Sequence, residues 1–321
     1  MSNLDSIDFK ILYELFLNSR QSTLSISKKT NINQSVIKYR IKKLEKSGVI
    51  QGYSIILNYR KIDYRLYRLY ISLQFTSTVK EKEIIYFFQE KKNTWRIESS
   101  TGKYDIILTL LIKKPRELFY FYKEIMDRFS DHFKKITIYE SYETFGFRAN
   151  TNMKKKSKNL DKNFQAYESY ELDEPNKKIL YFLNKNAKVP IIDLSKNLAL
   201  SGPTVVSRIK KLIDDGVIEN FSILINSEKV GFKRFLLRLS IVHYKKIDSI
   251  IQYFSLISYV EEINKVIGEY HLEIILHTNT LEHFHAIIDD FRTKYSDEIN
   301  DYDYFIISKV YANPCNSRIF K

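Results

Sequence analysis

Residues 4–73 align with residues 172–241 at a constant offset of 168, with no gap, and about a third of the aligned positions are identical. The clearest stretch, Arg40-Ile41-Lys42-Lys43-Leu44 followed by Gly48-Val49-Ile50, returns as Arg208-Ile209-Lys210-Lys211-Leu212 and Gly216-Val217-Ile218. Beyond it, after a two-residue slip, Gly102-Lys103-Tyr104 faces Gly268-Glu269-Tyr270, and Phe129-Ser130-Asp131 faces Tyr295-Ser296-Asp297. Solenoid units repeat every 20–50 residues or so; a period this long marks a duplicated module large enough to hold two domains. Each half must therefore fold into the same arrangement. Any functional difference between the halves must lie where their residues diverge.

The opening of each copy reads as a winged helix-turn-helix. Ile11, Leu12, Leu15 and Phe16 fall at helical spacing. A second short helix fits Leu24–Thr30. Asn33 is placed to cap a third helix running from Gln34 to about Ser47, and Gly48 is its left-handed stop. Val49–Leu57 reads as a strand, with a second wing strand expected near Tyr59–Ile62. The remainder of each copy alternates strands with helices. In copy one, strands fit Tyr67–Phe75, Trp95–Ser100, Tyr104–Ile112 and Lys135–Thr144, with helices at Lys80–Lys91 and Pro115–Phe129. In copy two, strands fit Phe235–Val242, Val260–Val266, Tyr270–His277 and Tyr302–Tyr311, with helices at Ile247–Phe254 and Leu281–Tyr295. This pattern predicts an open sheet with both helices on one side. The expected fold class is α+β, with two winged helix-turn-helix domains and two ferredoxin-like βαββαβ domains in tandem. The expected boundaries are 1–62, 63–149, a linker at 150–168, 169–230 and 231–321. The linker holds Lys154-Lys155-Lys156-Ser157-Lys158 and has almost no apolar periodicity.

Charge separates the copies. The net charge is +14. Residues 1–150 carry 27 Lys+Arg against 16 Asp+Glu, residues 151–168 five against two, and residues 169–321 twenty of each. A Lys-, Ile- and Asn-rich chain can reflect an AT-rich genome, but such a bias does not load one half alone. An anionic partner does, and for a basic chain that is usually nucleic acid. The third helix of copy one buries Ile37, Ile41 and Leu44, which puts Ser35, Lys38, Tyr39, Lys42 and Lys46 on the opposite face with Gln34 and Lys43 at its margins. A helix of this kind enters the major groove with its N-terminal side chains at the base edges. Gln34 suits adenine, Ser35 any base and Lys38 guanine. Tyr39 reaches base or phosphate, and Lys42, Lys43 and Lys46 suit phosphates. Arg40 either pairs with Glu45 or touches DNA. Copy two keeps the apolar stripe as Val205, Ile209 and Leu212, but Lys38 has become Val206 and Lys46 has become Asp214. Its reader is expected to bind more weakly, or to read mainly through Ser201, Thr204 and Ser207, with Lys210 and Lys211 beside them.

These residues resemble the Lrp/AsnC family, the leucine-responsive or feast/famine regulators. The family's opening Leu-Asp-x-x-Asp-x-x-Ile-Leu is matched by Leu4-Asp5-Ser6-Ile7-Asp8-Phe9-Lys10-Ile11-Leu12. Its recognition-helix signature is matched from Arg40 through Leu44-Glu45-Lys46-Ser47-Gly48-Val49-Ile50, while copy two has Ile213 at the Glu position. The resemblance is strong over the reader domains and weak elsewhere. Usual members carry one copy, and this chain resembles the tandem form seen in some archaea. The resemblance implies a βαββαβ (RAM-type) second domain that pairs subunits and takes a small effector, often an amino acid. Its Gly-x-x-Asp turn matches Gly102-Lys103-Tyr104-Asp105, so Gly102, Tyr104 and Asp105 become candidate effector-binding residues; copy two has His271 in place of the acid. With two copies in one chain, the two α/β domains are expected to pair intramolecularly, as a pseudo-dimer that replaces the usual two-chain unit and holds reader helices about 34 Å apart in successive major grooves, with homo-oligomers beyond that.

Other readings are bounded by composition. The single Cys315 rules out a disulfide framework and a cysteine zinc site, in keeping with a reducing, cytoplasmic and nucleoid-associated setting. No secretory pattern follows Met1, and apolar runs such as Ile106–Ile112 are too short to span a bilayer. His271, His277, His283 and His285 lack a ligand spacing, so no metal, cofactor or catalytic residue is expected. Double-stranded DNA is the expected partner. An architectural coat on DNA is one alternative. An enzyme similar to the siroheme decarboxylases is another, although their His/Arg-Tyr-Asn-aromatic pattern meets only Lys103-Tyr104-Asp105-Ile106 and Glu269-Tyr270-His271-Leu272 here.

Overall fold

The computed structural model describes residues 4–146, 169–312 and Phe320; the basic linker and Cys315 lie outside the described residues. Copy one runs α1 (Ser6–Leu17), α2 (Thr23–Thr30), α3 (Gln34–Lys46), β1 (Ile50–Leu57), β2 (Arg65–Leu73), α4 (Thr78–Glu90), β3 (Thr94–Thr101), β4 (Ile106–Ile112), α5 (Pro115–Phe129) and β5 (Phe133–Gly146). Copy two repeats it as α6 (Glu174–Lys185), α7 (Ile191–Leu198), α8 (Gly202–Asp214), β6 (Ile218–Ile225), the single turn α9 (Ser227–Val230), β7 (Lys233–Ile241), α10 (Ile247–Ser255), β8 (Val260–Ile267), β9 (Leu272–Thr278), α11 (Leu281–Tyr295) and β10 (Ile299–Ala312). The fold is α+β, as expected. No helix among the described residues is long and apolar enough to cross a membrane.

The chain divides into two compact units, and each gathers one domain from both copies. The first holds the described residues up to Asp63 together with those from 169 to Gly231. Its two three-helix bundles are joined by antiparallel pairing of β1 with β6, centred on Ser54 opposite Ser222. Those two serines are themselves related by the repeat offset, so a pseudo-two-fold axis passes between them. The hydrogen bonds on either side obey it. Ser19 N–H donates to Phe221 O at 2.9 Å and Ala187 N–H to Tyr53 O at 3.0 Å. Asn58 N–H donates to Val217 O at 3.0 Å and Asn226 N–H to Val49 O at 2.9 Å. The expected second wing strand at Tyr59–Ile62 is absent; those residues form a 3-10 turn capped by Asn58 and closed by Asp63 at φ +62°. β1 takes its strand partner from the other copy instead, pairing along one edge with β6, and the chain after it turns at the Asn58 cap.

In the second unit each copy lays down a four-stranded antiparallel sheet, β5-β2-β4-β3 and β10-β7-β9-β8. The sheets are not open. β5 pairs with β8 and β10 with β3, closing an eight-stranded barrel from the two copies. Closure satisfies the edge strands that an isolated ferredoxin-like sheet would expose. Alternation along the strands explains the two faces. Tyr67, Leu69 and Ile71 of β2 pack outward under α4 and α5, with Ile84, Phe88, Ile125 and Phe129. Phe235, Leu237 and Leu239 of β7 do the same under α10 and α11. The intervening residues face the barrel interior, where Tyr70, Tyr104, Tyr139, Tyr270 and Phe305 cluster. Arg238, wholly buried, lies among all five rings, its guanidinium carbon 4.2 Å from the Tyr270 centroid and 4.6 Å from that of Tyr70.

Candidate nucleic-acid interface

The first reader is assembled by short-range hydrogen bonds. α2 ends at Asn31, held at φ +56°, and Ser27 Oγ donates to Ile32 O at 2.7 Å across the turn. Asn33 then caps α3, accepting from Ser35 N–H at 2.9 Å and from the Ser35 hydroxyl at 2.8 Å. Ile37, Ile41 and Leu44 anchor the inner face against Ile11, Leu12 and Leu15 of α1. With that stripe fixed, Ser35, Lys38, Tyr39, Lys42, Lys43 and Lys46 are all exposed, Tyr39 by 66%. Gln34 is half-buried, and its amide donates to Thr23 Oγ1 at 2.8 Å. A bidentate contact to adenine would have to displace Thr23.

Arg40 does not pair with Glu45. Its guanidinium meets Asp5 at 2.7 Å and buried Asp8 at 3.2 Å. These two acids form the capping box of α1, and the Asp8 backbone N–H, followed by Arg40, holds the Asp5 carboxyl below its usual range. The opening motif Leu4-Asp5…Asp8 and the Arg40 signature are thus two ends of one contact, which locks α1 to α3. Arg208 repeats it with Asp173 at 2.6 Å and Asn176 at 3.1 Å. Glu45 instead accepts from the Tyr53 hydroxyl at 2.5 Å. In copy two both members have changed together, to Ile213 and Phe221.

The second reader keeps the frame and has fewer cationic side chains on its outer face. Val205, Ile209 and Leu212 are buried, while Pro203, Thr204, Val206, Ser207, Lys210, Lys211 and Asp214 are exposed. Ser201 and Thr204 face one another: Ser201 caps α8, accepting from Thr204 N–H at 3.2 Å, and the two hydroxyls are 2.7 Å apart. These hydroxyls, which the sequence offers to DNA, are also the ones that start the helix. It is a general competition, since a side chain that reads as a polar contact is also the preferred N-cap.

Sequence reasoning missed the coupling between the readers. Lys61 Nζ donates to Asp215 O, behind α8, at 2.6 Å, and Lys229 Nζ donates to Ser47 O, behind α3, at 2.5 Å. Each reader helix therefore has its C-terminal carbonyls capped by a lysine of the other copy, where the helix dipole favours a cation. Arg20 over Phe221 (5.3 Å) and Lys188 over Tyr53 (3.8 Å) form a second reciprocal pair. The signal was present in the sequence, because these residues are 168 apart, but only the strand register makes them cross.

The candidate effector turn is held by structural contacts. Tyr104 is buried in the barrel with its hydroxyl 3.0 Å from Thr137 Oγ1. Exposed Asp105 accepts from Leu73 N–H at 2.7 Å. His271 takes the same place in copy two, its Nδ1 accepting from Ile241 N–H at 2.9 Å. Gly102 sits at φ +134° and Gly268 at φ +153°. The other histidines disperse. His277 pairs with Glu261 at 2.7 Å, His285 with the Tyr304 hydroxyl at 3.1 Å, and His283 packs edge-on to Tyr259.

Comparison with known proteins agrees with this geometry. A winged helix-turn-helix DNA-binding family model matches residues 4–51 and again residues 172–219. An uncharacterized HTH-type transcriptional regulator of Pyrococcus furiosus is 36% identical over 123 residues, 38% of this chain and 82% of the relative. The HTH-type transcriptional regulator LrpB of Bacillus subtilis is 26% identical over 110 residues, 34% of this chain and 74% of the relative. Among solved structures, the siroheme decarboxylase NirDL superposes on 98% of this chain and 96% of its own with a TM-score of 0.64 at 13% identity, a likeness of fold.

Proposed function

The chain belongs to the Lrp/AsnC family of transcription regulators, and from that premise we propose how its two unlike copies divide the work of reading DNA. It is a sequence-specific DNA-binding transcription regulator. α3 enters the major groove and supplies most of the affinity. α8 enters a second groove with fewer charges. The operator is therefore an asymmetric pair of half-sites, not a palindrome. The observation carrying this reading is the exposed row Ser35, Lys38, Tyr39, Lys42, Lys43 and Lys46 on a helix whose opposite face is locked into the bundle. Lysines on such a row neutralise phosphates, and each phosphate contact adds about 0.9 to the slope of log affinity against log salt.

Footprinting of the full chain on genomic fragments tests the proposal. Discrete protected sites with salt-sensitive affinity are expected, whereas uniform coverage would favour a coat. The fold shared with NirDL gives an enzyme reading one specific test. An orange-red pigment with a haem-like band in the purified protein would support that reading, and a colourless DNA-binding preparation supports the regulator. An amino-acid effector, as the family resemblance implies, is assigned to the turn of Gly102, Tyr104 and Asp105; Asp105→Asn should abolish any change in DNA affinity that an amino acid produces.

A further inference from the structure

The second reader has lost the side chains with which the first most directly chooses bases. Base edges are met by the N-terminal side chains of such a helix. In α3 these are Gln34, Ser35 and Lys38, and the same positions in α8 are Gly202, Pro203 and Val206. None of the three carries a side-chain donor or acceptor. The neighbouring hydroxyls of Ser201 and Thr204 lie 2.7 Å apart at the helix start, as the Ser35 hydroxyl lies beside Asn33 in copy one, and like any hydroxyl they give little choice among bases. Ser207 is exposed, but a hydroxyl bonds to any base and gives little choice. Lys210 and Lys211 lie further along, where α3 has its phosphate lysines. Val206 is 51% exposed in the middle of the outward face, at the place Lys38 holds in copy one. On the major-groove edge of a base pair, the apolar feature is the C5-methyl of thymine.

We propose that the second reader selects thymine-bearing steps by packing Val206, flanked by Pro203, against thymine methyl groups, while the first reader selects through hydrogen bonds. The operator then has one half-site read by polar contact and one read by apolar contact. This inference rests on the proposal that both readers enter grooves, and it names what α8 recognises there.

The test uses the full chain and a duplex selected by it from a random pool. The half protected by α3 is the one that loses protection with Lys38→Ala. Thymines are then replaced by deoxyuridine one half at a time, which removes the methyl and keeps base pairing. Deoxyuridine in the α8 half should weaken binding about three- to four-fold for each methyl contacted, the effect of withdrawing one methyl-sized group from an apolar contact. The effect should be smaller in the α3 half. Val206→Ala should flatten the response to deoxyuridine while leaving the α3 half protected, which also shows that the variant is folded. If the α8 half stays protected yet ignores deoxyuridine, the methyl assignment is wrong and DNA binding stands. If no selected duplex is protected under α8, the apolar face does not read DNA and the inference falls, leaving that face for a protein partner. Failure to bind any duplex would instead overturn the function itself.

Discussion

The two copies agree where they hold each other and differ where they face outward. Lys61 and Lys229, Arg20 and Lys188, and Ser54 and Ser222 occupy matching places and make matching contacts across one pseudo-two-fold axis. On the readers the matching places hold Lys38 against Val206, Tyr39 against Ser207, and Lys46 against Asp214. Scaffold contacts are reciprocal, so a change on one side removes a partner from the other. An outward face answers only to what docks on it, and the halves of a single chain can dock on unlike half-sites. A homodimer lacks that freedom, because both of its readers carry one sequence.

The barrel interior breaks the symmetry in another way, and the most disruptive test lies there. Arg68 pairs with Glu273 across the copies and with Glu262 at 2.9 Å; the Tyr70 hydroxyl also donates to Glu273. The matching places on the other side hold Leu236 and Ile107, both buried. One side uses a buried ion pair and the other an apolar pair in the same frame. Glu273→Ala leaves the Arg68 charge buried without its closest partner and should cost about 3–5 kcal/mol of stability in denaturant unfolding. Arg68→Leu combined with Glu273→Ile copies the apolar side and should recover most of that loss. About 1 kcal/mol should remain for the Tyr70 hydroxyl, which loses its acceptor. A double variant as unstable as the single would show that the two sides are not interchangeable.

A smaller asymmetry separates the two turn glycines. Both have positive φ, so alanine is strained at either. A Cβ on Gly102 would meet the Phe305 ring at 3.5 Å, an ordinary contact, whereas a Cβ on Gly268 would lie 2.3 Å from the Tyr139 ring. Gly268→Ala should therefore cost about 1–3 kcal/mol more than Gly102→Ala, the range for overpacking a filled core. Equal losses in matched unfolding experiments would mean that Tyr139 moves aside without penalty.

Much of this was legible in the sequence, and the omissions have one cause. Periodicity placed α5 and α11 at their observed ends and most strands within two residues, because buried stripes are a local property of the chain. The reader face was legible for the same reason, once Ile37, Ile41 and Leu44 fixed which side was inward. The missing wing strand, the closed barrel and the lysine caps all depend on which segment pairs with which across more than a hundred residues. Composition and spacing do not encode that register. The capping role of Ser201 and Thr204 was not legible either, because a polar residue at a helix start can cap the helix as well as face outward, and spacing does not separate the two uses.

The reader lysines sharpen the comparison by electrostatics. Lys42→Ala and Lys46→Ala should each lower the salt slope by about 0.9 without changing base preference. Lys210→Ala should lower it by the same amount only if α8 follows the backbone as α3 does. Asp214→Lys restores the charge that Lys46 supplies in copy one and should raise both affinity and slope. If Lys210→Ala weakens binding more than Lys42→Ala, copy two is the stronger reader and the proposed division of labour is reversed.

The smallest expected effect comes from the strand-end acceptors Asp105 and His271. Both receive the N–H at the end of a first strand, Leu73 in one copy and Ile241 in the other, but only the histidine titrates near neutral pH. Burial lowers the His271 pKa below the ordinary 6.5, so the folded state binds its proton less readily than the unfolded chain does. Stability from this contact is complete above that ordinary value and is lost as pH falls from there through the lowered folded pKa. In that window exchange at Ile241 N–H should accelerate more than at Leu73 N–H. His271→Asp should transfer copy one's behaviour to copy two and remove the step. Equal acceleration at both amides between pH 7 and 5 would show that acid loosens the barrel as a whole and that the acceptor's identity is immaterial.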